Sequence, residues 1–186
     1  PELVLADPAI DFVIRGFGAA ALAELAAAAR GGAPARPAIA GLSHRDAGGR
    51  LVHHERRTEF EHISFHELPY DLLEADFSRY TVLRGRQVIF PLLSSYGCSY
   101  RCGFCISSVL YRGFRPTWQA VPPAEVGEHI AWLQERYGAT EFYLYDDDPF
   151  CEPGHIRALL AELRRRRLSV RINFRGIRVD EILRLD

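Results

Sequence analysis

Between residues 87 and 174 the chain alternates three strand patterns with two helix patterns, and this alternation narrows the fold more than any other feature. The strands read as residues 87 to 94, Glu141-Phe142-Tyr143-Leu144-Tyr145 and Ser169-Val170-Arg171-Ile172-Asn173-Phe174. The first helix follows Pro122-Pro123, carries Val126, Ile130, Leu133 and Tyr137 on one face, and stops at Gly138. Proline at the start and glycine just past the end are helix punctuation. The second follows Pro153-Gly154, repeats Ile156, Leu159, Leu160 and Leu163, and closes on Arg164 to Arg167, a solvated last turn that complements the helix dipole. Strand, helix, strand, helix, strand predicts an α/β fold with a parallel sheet and right-handed crossovers. Three strands cannot close a barrel.

The apolar run Gln87-Val88-Ile89-Phe90-Pro91-Leu92-Leu93 leads into Cys98-Ser-Tyr-Arg-Cys102-Gly-Phe-Cys105. Three thiolates at this spacing can hold three corners of an iron-sulfur cluster and leave its fourth iron open to bind something more. A structural zinc site usually pairs two cysteine knuckles, and the sequence has neither a second knuckle nor a histidine pair at ligand spacing. The loop resembles that of the radical S-adenosylmethionine enzymes. The resemblance implies a 4Fe-4S cluster on Cys98, Cys102 and Cys105, S-adenosylmethionine on the open iron, and an electron donor such as flavodoxin or ferredoxin. It also implies that Phe104, the aromatic before the third cysteine, packs near the adenine of the bound cofactor. Ligand loops at the carboxyl ends of strands are where βα barrels place their chemistry.

Composition bounds the remainder. With 48% hydrophobic and 25% charged residues among 186, the chain reads as soluble globular material of cytoplasmic character. No run of about 18 apolar residues suggests a membrane span. Four cysteines, three of them in one loop, do not make a disulfide framework, and no signal peptide opens the sequence. A net charge of -1 leaves no electrostatic footprint for nucleic acid. All basic residues are arginine, a composition bias without mechanistic weight. A sequence that begins Pro-Glu-Leu, lacks methionine and stops inside a helix pattern at Asp186 reads as a fragment.

Upstream of the cysteines, Asp11 to Arg15 reads as a buried strand, Gly16-Phe17-Gly18 as a turn, and Ala19 to Arg30 as a helix ended by Gly31-Gly32. Gly41 to Arg45 and Arg50 to His54 predict a hairpin around Asp46-Ala47-Gly48-Gly49. Gly16-x-Gly18-x-x-Ala21 mimics a dinucleotide fingerprint, but the acidic residue expected about 20 residues on is missing from Ala33 to Leu42.

As a whole, residues 1–75 resemble the end of the amino-terminal cobalamin-binding domain of one large branch of the radical enzymes. The resemblance rests on Pro1-Glu2, Asp7-Pro8, Asp11 to Gly18, Gly41-Leu42 and Leu68-Pro69-Tyr70-Asp71-Leu72-Leu73. Phe17 and Ala19 stand where that branch carries glutamates, and no Asp-x-His-x-x-Gly cobalt-ligand motif is present. It implies the tail of a Rossmann-like cobalamin-binding domain plus linker over 1–75, then the amino-terminal half of a TIM-type (βα) barrel of the radical enzyme kind over 76–186. It implies cobalamin as a further cofactor, a small-molecule substrate of natural-product or tetrapyrrole-like kind, and methyl transfer to an unactivated carbon. Ring formation or hydroxylation on a porphyrin-like substrate is also found in the branch; a radical enzyme without corrinoid, and a binding module with a closed iron-sulfur or zinc site, are the alternatives.

Asp146-Asp147-Asp148-Pro149-Phe150, at the end of the second barrel strand, resembles the family's Asp-Asp-x-Phe. The resemblance implies that this strand end, with Asp147 and Asp148, faces the amino group of S-adenosylmethionine. The plain alternative is an acidic loop capping the next helix. Asn173 and Arg175, ending the third strand, are candidates for the cofactor carboxylate or the substrate, against an ordinary surface charge. Cys151 reads as a lone loop thiol, with a fourth ligand or radical partner as alternatives. The seven histidines show no ligand spacing and receive no role.

Overall fold

The computed structural model describes residues 1–31, 38–73, 82–84 and 87–184. Gly32, residues 33 to 37 and the boundary expected between residues 75 and 76 lie outside the described residues. Two compact units are present: Pro1–Glu61 with Arg112–Arg115, and His62–Tyr111 with Pro116–Asp186.

The first unit contains α1 (Glu2–Leu5), β1 (Phe12–Ile14), α2 (Ala19–Arg30), β2 (Leu42–Arg45) and β3 (Leu51–His53). Its sheet runs β1-β2-β3 with every pair antiparallel. The expected hairpin is therefore present, whereas a Rossmann-like unit pairs its strands parallel. The return is made at Gly41, which holds φ +80°, accepts from the Arg15 N–H and donates to Glu55. A Cβ there would lie 2.7 Å from the Arg15 carbonyl oxygen, so only glycine fits. The hairpin turn is held by Asp46, whose Oδ1 accepts from the amides of Gly48 and Arg50. The strand expected to be buried, β1, is only half-buried, with Phe12 and Ile14 packed on the cluster of Ala21, Ile39 and Leu42. Phe17, which replaces a carboxylate in the resemblance, packs edge-on against Phe60 and beside the buried Phe114.

The second unit opens with two 3-10 turns, Phe65–Glu67 and Tyr70–Leu73, and continues through β4 (Val82–Arg84), β5 (Gln87–Leu92), β6 (Ser95–Gly97) and α3 (Ser107–Leu110). Then come β7 (Trp118–Ala120), α4 (Pro123–Tyr137), β8 (Glu141–Leu144), α5 (Pro153–Arg165), β9 (Arg171–Phe174) and α6 (Val179–Ile182). The main sheet has the order β4-β5-β8-β9, with β5, β8 and β9 parallel in the register Phe90↔Phe142↔Ile172, as the alternation predicts. The edge strand β4 is antiparallel, and β6 and β7 form a separate ribbon. The strand predicted over 87 to 94 stops at Leu92 because the Ser94 amide turns to a side chain instead of the ladder.

Phe90, Leu92, Phe142 and Leu144 point to one face and pack with Val126, Ile130 and Leu133 of α4 and Leu159 and Leu163 of α5. Each fully buried aliphatic or aromatic side chain here contributes about 1.5–3 kcal/mol, more than an exposed ion pair supplies. Leu160, assigned above to the apolar face, is exposed, because the buried stripe of α5 runs through His155, Leu159 and Leu163. The helices end differently. Gly138 closes α4 with φ +67°, whereas α5 ends on Arg167 with φ +58°, Arg167 N–H bonding Arg164 O and Leu168 N–H bonding Leu163 O. That is a Schellman closure built on a non-glycine residue.

Candidate functional site

The cysteine loop leaves the carboxyl end of β5 by way of β6 and turns into α3, so it sits where the parallel strands present their carboxyl ends. It is folded by its own backbone: Cys105 N–H bonds Cys102 O at 3.1 Å and Ser108 Oγ bonds Cys105 O at 2.8 Å. All four thiols are free and half-buried. Sulfur ligands on one short loop, reduced and reachable from solvent, are a donor set suited to a cluster. Phe104 is 95% exposed beside them, an unusual position for an aromatic that has nothing to cover.

The three aspartates after β8 do three different jobs. Asp146, 2% exposed, accepts from Ser94 N–H at 2.9 Å and from the hydroxyls of Ser94 and Ser95. His155 Nε2 lies 3.0 Å from the same Ser94 oxygen, and burial holds the pKa of that imidazole down. Asp147 accepts from Ser107 Oγ at 2.8 Å and from Tyr111 Oη at 2.6 Å, which ties the segment after the cysteines to the strand end. The Tyr111 hydroxyl is pushed well above its ordinary range by burial and by that carboxylate. Only Asp148 brings its carboxyl to the cysteines. It lies with Cys98 and Cys151 in a group whose ligand atoms are all within 4.8 Å of one another. Burial, with the nearby Glu181 carboxyl, lifts Asp148 to about 6.

Cys151 donates toward Cys98, which holds the Cys98 thiol below its ordinary value and pushes Cys151 up. The Ser99 N–H points at Cys151 Sγ from 3.4 Å. Across the loop, Arg178 lies 3.8 Å over the Tyr100 ring and reaches to 4.0 Å from Cys102 Sγ. Glu181 is 1% exposed, and its Oε2 accepts from the Arg178 N–H.

Of the residues singled out from sequence, Cys98 and Asp148 are brought together at this rim, with Cys102, Phe104 and Cys105 following Cys98 on the same loop. Asn173 does not reach it: its Nδ2 donates to Glu141 Oε1 at 2.9 Å and to the Phe142 carbonyl, deeper along the sheet, where Arg171 also pairs with the buried Glu141. Arg175 stands exposed just past β9. Sequence reasoning missed Asp146, His155, Arg178 and Glu181. The Asp-Asp-Asp run pointed to the first of these, while nothing local marks the other three.

The radical SAM superfamily matches residues 92–185, more than half of the chain. The anaerobic magnesium-protoporphyrin IX monomethyl ester cyclase of Synechocystis sp. is 26% identical over 98% of this chain and 35% of its own length. An uncharacterized methyltransferase of Pyrococcus horikoshii is 31% identical over 79% of this chain and 30% of its own. Among solved structures, the apo cobalamin-dependent S-adenosylmethionine radical enzyme OxsB superposes with TM-score 0.67 at 18% identity, over 94% of this chain and 24% of that one. The radical S-adenosylmethionine methyltransferase TsrM of Kitasatospora setae, bound to cobalamin and a [4Fe-4S] cluster, gives 0.58 at 22%, over 86% and 30%. Both likenesses are of fold, and the chain spans about a third of the length of the curated relatives it matches. No helix among the described residues is long and apolar enough to cross a membrane. A match of this extent, over the segment that carries the cysteine loop and the parallel strands, means that the chain belongs to the radical SAM superfamily.

Proposed function

We propose that Cys98, Cys102 and Cys105 hold three irons of a 4Fe-4S cluster and that the chain is part of a cobalamin-dependent enzyme methylating an unactivated carbon. The observation that carries this reading is that the cysteine loop, with Phe104 exposed on it, lies past the carboxyl end of β5 with Cys98 close to Asp148 after β8. A cluster held by these cysteines would supply one-electron reduction to S-adenosylmethionine bound beside it. The chain's own residues bind and orient. Phe104 offers an exposed face for the adenine, and Asp148 an acceptor for the methionine ammonium. Asp146 and Asp147 brace the two ends of the cysteine loop, and Arg178 screens the charge of Cys102. Arg175 is a ligand for a carboxylate, and Asn173 acts by fixing the sheet beneath through Glu141. Residues 1–75 are assigned to the end of a cobalamin-binding domain and its linker, and residues 76–186 to the first half of a partial βα barrel. The resemblance between this stretch and cobalamin-dependent enzymes, which extends over 94% of the chain for OxsB, supports that assignment.

A second reading, ring closure on a tetrapyrrole, is favoured by the cyclase that aligns with nearly the whole chain. The two are separated by incubating the anaerobic protein with hydroxocobalamin, desalting it and recording its spectrum, then adding S-adenosylmethionine. A retained corrinoid, with deoxyadenosine and S-adenosylhomocysteine both formed, is the expected result for a methylase. Deoxyadenosine without S-adenosylhomocysteine rejects the methylase and leaves the cyclase.

A further inference from the structure

Cys151 is the one cysteine outside the loop motif, and its sulfur stands near that of Cys98. Cys98 Sγ, Cys151 Sγ and an Asp148 carboxyl oxygen all lie within 4.8 Å of one another. Two sulfurs on one tetrahedral zinc ion, with bonds of about 2.3 Å, stand about 3.8 Å apart. Ligands of a cluster bind different irons and stand farther apart, so the pairing of Cys98 with Cys151 suits a single ion rather than a cluster edge. The rest of the environment also calls for a cation. The Asp148 carboxylate is oriented by the Phe150 N–H at 3.0 Å, and the loop is pinned by Trp118 Nε1 on the Asp148 carbonyl at 2.9 Å. Glu181 is buried beside Asp148, and its carboxyl interacts with the Asp148 carboxyl and with Tyr100.

We infer that Cys98, Cys151 and Asp148 form a second, mononuclear site for a thiophilic divalent cation, zinc above all, which the chain fills when no cluster is present. The donor set is two thiolates and a carboxylate, with water for the fourth position. Cys98 belongs to both sites, so zinc and cluster exclude each other. That exclusion, though not the zinc site itself, rests on the cluster reading above. Binding releases the thiol protons to solvent and changes no oxidation state.

The test uses metal-free protein held anaerobically with a thiol-free reductant. Co²⁺ is titrated first, reading the thiolate-to-metal charge-transfer absorption, and Zn²⁺ is then added against a chromophoric chelator. One ion per chain with the absorption of a two-thiolate site is expected, displaced by zinc. Cys151→Ala and Cys98→Ala each weaken zinc binding by more than the 10–100-fold or so that loss of an outer partner costs. Cys105→Ala leaves it unchanged, and Cys151→His, which returns a zinc ligand, recovers it. No loss in Cys151→Ala, or an equal loss in Cys105→Ala, overturns the site. Reconstitution with iron, sulfide and equimolar zinc then leaves less cluster in the parent than in Cys151→Ala. Equal cluster content in the two overturns the shared use of Cys98. Because the zinc titration needs no cluster, its failure and a failure of the cluster reading are seen separately.

Discussion

Asp146 grips Ser94 twice, taking its amide at 2.9 Å on one oxygen and its hydroxyl at 2.7 Å on the other. This clamp joins the carboxyl end of β8 to the first residues beyond β5, where the chain heads for the cysteines. Asp146→Ala strands a buried amide and two hydroxyls, each worth about 1–3 kcal/mol when left unsatisfied. We expect a loss of about 3 kcal/mol in urea unfolding. Asp146→Asn, which keeps one acceptor oxygen, loses less.

The three loop cysteines and Cys151 separate under reconstitution with iron and sulfide in zinc-free buffer. Cys98→Ala, Cys102→Ala and Cys105→Ala each abolish the 4Fe-4S absorption and EPR signal, while Cys151→Ala keeps both. No iron-sulfur absorption after such reconstitution of metal-free protein would remove the cluster assignment.

Phe104 is 95% exposed, so Phe104→Ala leaves the melting temperature unchanged. If its ring stacks on adenine, the same change weakens S-adenosylmethionine binding by about 1 kcal/mol, several-fold in Kd, by equilibrium dialysis. Unchanged affinity would remove Phe104 from the binding site.

His129 on α4 stacks on Phe65, with ring centroids 4.5 Å apart, and its Nε2 accepts from the Tyr70 hydroxyl at 2.7 Å. Burial lowers it from its ordinary 6.5 to about 4. A base whose folded pKa is depressed is favoured neutral by folding. Its contribution is complete above about pH 6.5 and is lost as the pH falls toward 4. His129→Gln keeps an acceptor for Tyr70 and cannot titrate, so its stability should decline less steeply over that interval. Parallel pH profiles of parent and variant in chemical unfolding would show that His129 plays no part.

Helix packing gives opposite signs at two positions. A Cβ on Gly127 would meet Glu162 Cγ at 2.9 Å and Arg166 Nε at 3.2 Å, at the contact between α4 and α5. Gly127→Ala gains about 1 kcal/mol of helix propensity and loses about 1–3 to overpacking, so the variant should melt at or below the parent temperature. Arg167 holds φ +58° at the end of α5. Arg167→Gly relieves that conformation and should raise stability by about 0.5–1 kcal/mol, net of the looser unfolded chain.

The elements that were legible are those whose signal is local. Pro122-Pro123 and Gly138 bracket α4 because proline fits a helix start and a left-handed closure suits glycine. The apolar runs at Phe90 and Phe142 announce buried strands, with β9 at Ile172 only half-buried, and C-x3-C-x2-C places its sulfurs on a single loop whatever surrounds it. The hairpin at Asp46 is equally local, since the carboxylate caps amides two and four residues on.

What the sequence alone left open depended on where distant segments meet. That β1 and β2 run antiparallel is settled by Gly41 meeting Arg15, 26 positions back along the chain. The three adjacent aspartates look alike in sequence, yet Ser94, Ser107 and Cys98 give each a different partner. Asn173 lies near the end of β9, but Glu141 on the neighbouring strand turns it inward, away from the rim. Cys151 became more than a spare thiol only when α5 and the loop before it were packed against β5 and its cysteines. Residue type and spacing determine which chemistry a segment can support, because those preferences act over a few bonds. Which carboxylate, thiol or guanidinium carries it is decided by hydrogen bonds and burial between residues far apart in the chain, and only the packed structure contains those.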